Sequence, residues 1–142
     1  MTVSVILARK GNAVATATPE VTLQAVAKTL AEKKIGAIVV TRPDGTIAGI
    51  LSERDVVRAV AAKGAAALND PASAHMTAAV VTTSADKTIV SVMEEMSARR
   101  FRHMPVTASG QLCGIVSIGD IVNHRLREME AEQAALKEYI SS

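Results

Sequence analysis

Aromatic side chains are almost absent from this chain, which has one Phe, one Tyr and no Trp among 142 residues. Platforms for single-stranded nucleic acid and cages for quaternary ammonium groups are built from such rings. Because 49% of the residues are nevertheless hydrophobic, the chain can bury a real core, and this core must be aliphatic. The composition therefore argues against functions based on aromatic stacking and rules out disorder as the main state.

The chain also has a single cysteine, nearly balanced charges and no long apolar run. The single Cys113 cannot form an internal disulfide and no zinc-ligand spacing is present, so we expect no metal and a reducing, cytoplasmic location. The net charge of +2 disfavours nucleic acid as a partner. No apolar run approaches about 18 residues, and positive charges follow the short N-terminal apolar stretch, so we expect neither a membrane partner nor a secretory signal.

The chain contains one pattern twice. The segment G-I-L-S-E-R-D at 49–55 reappears as G-I-V-S-I-G-D at 114–120, and Thr22 with the helical pattern after it aligns with Thr88. A self-similarity of half the chain length predicts two small copies of one structural unit instead of one ordinary domain.

Each copy has the pattern of a β-α-β-β-α unit. Apolar residues recur at helical spacing from Leu23 to Leu30 and from Ile89 to Met96. Two apolar runs joined by a glycine-containing turn follow each helix and predict a β-hairpin, after which a second helix begins. The predicted strands are 14–16, 37–40 and 47–51 in the first copy and 79–82, 103–107 and 112–116 in the second.

This pattern divides the chain into two parts. Residues 1–70 form the first repeat, preceded by an apolar-faced helix at Val3–Lys10, and residues 71–142 form the second. The segment from Lys63 to Met76, with its Ala run and Pro71, is the predicted linker. The predicted fold class is therefore α/β (α+β), with a long C-terminal helix from Ile118 to Tyr139.

Two motif pairs carry a resemblance to a known family. I-G-A-I-V-V (35–40) with the 49–55 segment, and R-F-R-H-M-P-V (100–106) with the 114–120 segment, resemble the cystathionine-β-synthase (CBS) domain in its usual tandem pair. The resemblance covers about residues 14–126 and implies a stand-alone Bateman-type module, with two repeats related by a pseudo-twofold axis. It also implies clefts between the repeats that bind adenosine ligands. AMP is the first candidate, with ADP, ATP, NAD and S-adenosylmethionine as further ones.

Each repeat has a serine and an aspartate three residues apart at a predicted helix start: Ser52 with Asp55, and Ser117 with Asp120. Free N–H groups at a helix start favour an anion, and a carboxylate can accept hydrogen bonds from a ribose diol. The resemblance places the ribose-binding carboxylate on both aspartates. The alternative is a capping box that serves only the helix itself.

Four basic side chains lie close together before the second hairpin. The resemblance gives Arg102 and His103 a phosphate contact, whereas Arg99 and Arg100 are expected to be a solvated helix end. Alternation along a strand places Arg102 and Met104 on one side and His103 on the other. His103 is also a candidate for a pH-sensitive phosphate contact.

The two clefts are not expected to be equivalent. Arg54 is a phosphate candidate in the first repeat, but Gly119 stands at its position in the second. Pro105, which cannot donate a ladder hydrogen bond, corresponds to Val39 in the first repeat.

The remaining binding candidates flank these motifs. In the first repeat, Gly36 and Ala37 form a small, flat stretch, continued by Ile38, where adenine could lie close to the backbone. Met104 and Pro105 are the second-repeat candidates beside His103. Thr18 and Ser84 are candidate contacts to the base, with helix capping as the equal alternative.

Two other histidines, His75 and His124, are expected to be solvated on a linker and an exposed helix. The C-terminal helix has apolar residues at alternating steps of four and three, which favours a homodimer contact over packing on its own repeat. These residues are Val122, Leu126, Met129, Leu136 and Ile140, with Gln133 as a polar break.

Two functions from different classes remain. The first is a sensing module in which an adenine nucleotide shifts a homodimer or an unidentified effector protein between two states. The second is a structural dimerisation module with empty clefts. Catalysis ranks below both because no nucleophile–base or metal constellation and no catalytic cofactor motif is visible.

Overall fold

The computed structural model describes residues 1–142, and its elements follow the predicted repeat. In chain order they are α1 (Val3–Lys10), β1 (Thr16–Ala17), α2 (Leu23–Lys33), β2 (Ala37–Thr41), β3 (Ile47–Ser52), α3 (Glu53–Lys63), the 3₁₀ turns Gly64–Asn69 and Ala72–Ala74, α4 (Ile89–Arg99), β4 (His103–Ala108), β5 (Gln111–Ser117) and α5 (Ile118–Ser141). The mixed α/β fold with a long C-terminal helix is confirmed.

Both predicted hairpins form, and they share the same irregularity. In the first repeat β1 runs parallel to β2, which pairs antiparallel with β3; in the second, β4 pairs antiparallel with β5. The register shifts between Val40 and Thr41 in one hairpin and between Val106 and Thr107 in the other, which are aligned positions. The repeat in the sequence is therefore a repeat in backbone geometry.

The lead-in strand predicted at 79–82 is not formed. In the first repeat, the N–H of Val39 donates to the carbonyl of Ala15 at 3.1 Å. Pro105 stands at the position of Val39 and has no N–H, so the corresponding ladder bond is lost. Only an isolated parallel bridge remains, in which the N–H of Thr83 donates to the carbonyl of Pro105 at 3.0 Å.

The first helix of each repeat is capped by an aligned threonine. The hydroxyl of Thr22 accepts from the N–H of Ala25 at 3.2 Å, and Thr88 does the same for α4. Capping by Thr18 and Ser84 was therefore a wrong alternative. Each of these two residues opens a turn instead, and the Ser84 hydroxyl donates to Asp86.

Two aliphatic cores hold the repeats, and the predicted helical faces lie in them. The first contains Leu23, Val26, Leu30, Ile38, Val40, Ala48, Leu51, Ala59, Ala67 and Ala72. The second contains Val3, Ile6, Leu7, Ile89, Val92, Met96, Met104, Val106, Val116 and Ile121.

Helix α1 precedes the first repeat in the chain but packs into the core of the second. The N–H of Val3 donates to the carbonyl of Lys87 at 2.9 Å, and Leu7 lies against Gly114 of β5. The segment predicted to be a linker is also packed, since Ala67 and Ala72 are fully buried in the first core.

Helix α5 buries only its start. Ile121 and His124 are buried, whereas the apolar residues further along are more than half exposed. The prediction that His124 is solvated was wrong: it is 3% exposed, and its Nε2 lies 3.3 Å from Oε1 of Glu128. The other histidine predicted to be solvated, His75, is half-buried, with Nε2 2.7 Å from Oδ2 of Asp70. None of the helices combines the length and the apolarity needed to cross a membrane.

Candidate functional site

Two clefts of similar volume, about 590 and about 560 Å³, are lined by both repeats. The first cleft joins the start of α3 to residues 77–81 and 100–103 of the second half. The second cleft joins the start of α5 to residues 13–15 and 33–37 of the first half. Such a reciprocal exchange of segments is what a pseudo-twofold relation produces, and both volumes suit a small-molecule ligand.

In the first cleft, Ser52 and Asp55 form a complete capping box. The backbone N–H and hydroxyl of Ser52 donate to Oδ2 of Asp55 at 2.8 and 3.0 Å, and the N–H of Asp55 donates to the Ser52 hydroxyl at 3.3 Å. These bonds leave Oδ1 of Asp55 without a protein partner. The box therefore fixes the carboxylate and leaves one oxygen without a partner, so capping does not exclude a contact with a ligand.

Four arginines line this cleft, and none of them has a carboxylate within 4.0 Å. They are Arg54, Arg58, Arg100 and Arg102, and His103 lies with them. The sequence interpretation missed Arg58, although its i, i+4 spacing from Arg54 places both on one helix face. Arg100 is the exposed C-cap of α4, as predicted for a solvated helix end, and it also borders the cleft.

The predicted separation of Arg102 from His103 was wrong as well. Both residues line the first cleft, whereas Met104 is fully buried in the second core. The reason is that β4 begins at His103, so the alternation of faces does not extend back to Arg102.

Aliphatic side chains and one ring form the other wall of the first cleft. They are Ile50, Val57, Val80, Val81 and Phe101. The sequence interpretation did not identify the contribution of residues 77–81, because that segment crosses from the first unit to the second. Thr77 bridges Ile50 of β3, and Thr83 bridges Val106 of β4.

The second cleft repeats the capping box but adds a lysine. The N–H of Ser117 donates to Oδ2 of Asp120 at 2.9 Å, and the N–H of Asp120 donates to the Ser117 hydroxyl at 3.1 Å. Nζ of Lys10 donates to the same Oδ2 at 2.7 Å and to the carbonyl of Ile115 at 2.9 Å. Burial acts to raise the pKa of Asp120, but the bonds from Lys10 and Ser117 outweigh it and hold the pKa below its usual value.

His103 and Gly36 line both clefts. A Cβ at Gly36 would lie 3.1 Å from Nε2 of His103 and 3.0 Å from Oε1 of Glu53, so a side chain there would crowd the wall between the clefts. Burial lowers the pKa of His103; Asp120 and Glu53 oppose this shift, while Lys10 and Arg102 add to it. This shift favours the neutral form of the imidazole.

The structure divides the predicted site residues into three groups. Ser52, Arg54, Asp55, Gly36, Arg102 and His103 line the first cleft. Ala37, Ser117 and Asp120 line the second, together with Gly36 and His103. Ile38, Met104 and Pro105 are buried, and Thr18 and Ser84 line neither cleft.

Comparison with known proteins identifies the family. The family model of the CBS domain matches residues 8–62 and again residues 72–127. The chain belongs to the CBS-domain family. Proteins of this family are regulatory modules that are generally not catalytic.

Three relatives show the extent of the similarity. The CBS domain-containing protein CBSX3, mitochondrial, of Arabidopsis thaliana is 30% identical over 87% of this chain, which spans 62% of the length of that protein. The crystal structure of the CBS-domain containing protein ATU1752 from Agrobacterium tumefaciens is 48% identical, with a TM-score of 0.85 over 87% of this chain and 92% of that one. The CBS domain protein PAE2072 from Pyrobaculum aerophilum, solved in complex with AMP, is 28% identical, with a TM-score of 0.76 over 84% of this chain and 89% of that one.

Proposed function

We propose that this chain is a regulatory module that binds an adenine nucleotide in the first cleft, with AMP as the first candidate. The observation that carries the proposal is the pairing of a fixed carboxylate, Asp55, with four arginines across an aliphatic pocket. The similarity to an AMP-bound CBS pair supports the same class of ligand.

Each part of a nucleotide has a matching group in this cleft. The ribose diol donates to Oδ1 of Asp55, which has no protein donor. The phosphate lies near the N-terminus of α3, where the helix dipole, Arg54 and Arg102 favour negative charge. The adenine packs between aliphatic side chains and against Phe101.

The charge of the cleft orders the candidate ligands. Four guanidinium groups face two carboxylates, Glu53 and Asp55, so the cleft has a net positive charge. AMP, ADP, ATP and NAD all carry phosphate, and like-charge repulsion disfavours S-adenosylmethionine with its sulfonium cation. A phosphate-bearing nucleotide is therefore the expected ligand.

A regulatory module also needs a surface through which ligand binding affects another protein chain. Val122, Leu126 and Met129 on α5 are each at least half exposed, and a largely solvated helix end gains stability when its apolar face is covered. We propose that this face holds a homodimer, whose arrangement responds to the nucleotide and is read by an effector protein. The same face also favours the second candidate function, a dimerisation module with empty clefts.

A thermal-shift panel of AMP, ADP, ATP, NAD and S-adenosylmethionine separates the two candidates. A ligand that binds only the folded state stabilises it by about 2.7 kcal/mol at about 100 times its Kd. We expect the phosphate-bearing nucleotides to raise the Tm. No shift with any of the five would favour the dimerisation module.

Asp55→Ala locates the site. Because a hydrogen bond to a charged group is lost, we expect the affinity for AMP by isothermal titration calorimetry to fall about 10- to 100-fold. Glu94→Ala makes the same charge change on an exposed part of α4 outside both clefts and should leave the affinity unchanged. If Asp55→Ala lowers the Tm but not the affinity, the motif serves only as a helix cap.

A further inference from the structure

Lys10 extends from the end of α1 into the second cleft and binds the carboxylate there. Its Nζ lies 2.7 Å from Oδ2 of Asp120 and 2.9 Å from the carbonyl oxygen of Ile115. The side chains of Lys10 and Asp120 are only 31% and 21% exposed. This pair is therefore partly desolvated and holds the ammonium group more firmly than a surface ion pair would.

The packing of α1 fixes the lysine in this position. A Cβ at Gly114 would lie 2.8 Å from Cδ2 of Leu7, so the helix lies directly on β5. Val3, Ile6 and Leu7 are buried in the second core. Lys10, the last residue of this anchored helix, is delivered to the cleft by the fold and not by a mobile arm.

The first cleft has no equivalent cation on its carboxylate. No basic group lies within 4.0 Å of Asp55, whose Oδ2 receives only the backbone N–H and hydroxyl of Ser52. The carbonyl of Ile50, which aligns with that of Ile115, accepts from the backbone N–H of Thr77 at 2.9 Å. A backbone donor in the first cleft is thus replaced by a charged side chain in the second.

We infer that Lys10 is a specificity-determining residue that closes the second cleft to nucleotides by neutralising the carboxylate of Asp120. Lys10 and the N–H of Ser117 both donate to Oδ2, which leaves Oδ1 without a partner. A ribose diol that binds Oδ1 therefore meets a carboxylate whose charge is already compensated by the ammonium group, and such a carboxylate is a weaker acceptor. The inference rests on the proposed function of the first cleft and predicts one nucleotide per chain, bound only there.

The test measures the number of AMP molecules bound per chain by isothermal titration calorimetry. We expect one for the wild type and two for Lys10→Met, with the second site at least tenfold tighter than any binding to the wild-type second cleft. Lys10→Gln keeps a donor for the Ile115 carbonyl without the charge, so it repeats the test if Lys10→Met is unstable. Arg9→Met removes the same charge from the same helix outside both clefts and should leave one site.

The site that is gained must depend on Asp120. Adding Asp120→Ala to Lys10→Met should return the stoichiometry to one. If the wild type binds no AMP and Lys10→Met binds one that requires Asp120, the proposal for the first cleft fails and the role of Lys10 stands. If neither lysine variant gains a site, or if the wild type already fills two, the role of Lys10 is overturned.

Discussion

The two clefts have similar volumes and the same capping box, and they share His103 and Gly36, yet their charges are arranged differently. In the first, arginines surround a carboxylate that has no ionic partner. In the second, Gly119 stands at the position of Arg54, and a lysine binds the carboxylate directly. The sequence repeat therefore produces the same backbone arrangement twice. The charge of each cleft, in contrast, depends on single positions and on α1, a helix outside the repeated unit.

The largest effect should come from removing the anchor of α1. Leu7→Ala leaves a cavity in the second core, and we expect it to lower the free energy of unfolding in urea by about 2–5 kcal/mol. The variant should also loosen α1 and with it the hold of Lys10 on the second cleft. Hydrogen exchange of the α1 amides measures this loosening.

Leu30→Ala is the matched control, because Leu30 is buried to a similar extent in the first core. It should cost a similar free energy without faster exchange in α1. Equal exchange of α1 in the two variants would contradict the separate anchoring of the second cleft.

A smaller effect distinguishes the two capping boxes. Ser52→Ala and Ser117→Ala each remove an N-cap, and we expect each to lower the free energy of unfolding by about 1 kcal/mol. Only Ser52→Ala should also weaken AMP binding, because the Ser52 hydroxyl donates to Asp55 in the cleft that we propose binds AMP. Weaker AMP binding in Ser117→Ala alone would reverse the assignment of the clefts.

The smallest effect concerns the wall shared by the clefts. Because the pKa of His103 lies below its usual 6.5, the unfolded chain binds more protons at mildly acidic pH. This histidine therefore makes stability fall as the pH drops below about 6.5, and has no such effect above it. His103→Ala, which restores the residue found at Ala37 in the first repeat, should flatten this decline in urea titrations between about pH 7 and pH 5. An unchanged decline would exclude His103 as its source.

Many of the helices, turns and capping motifs were predictable because each depends on residues close together in the sequence. The spacing of Leu23 and Val26, the glycine-containing turns and the serine–aspartate pairs each depend on a few neighbouring residues, and all formed as expected. The predictions that failed depended on residues distant in the sequence. The loss of the second lead-in strand depended on Pro105 in another strand, and the burial of His124 depended on how α5 packs.

In the clefts, too, the residues of local motifs were predictable and those brought in by tertiary packing were not. Asp55 and Asp120 stand out in the sequence because their motif repeats, whereas Lys10 and Asp120 are separated by 110 residues and share no motif. Nothing in periodicity or spacing indicates that α1 crosses to the second core, since an apolar helix face does not specify the repeat on which it packs. Only the tertiary arrangement reveals that the helix supplies a charge to one cleft.

The crossing of α1 also sets an order of events during folding. Its contacts with β5 and α5 join residues 105 and 110 positions apart, and contacts so distant in sequence form slowly. During synthesis at about 5–20 residues per second, α1 is complete several seconds before its binding site on β5 exists. The first repeat can close on its own residues as they are made. The second cannot complete its core or its cleft until the earliest helix returns to it.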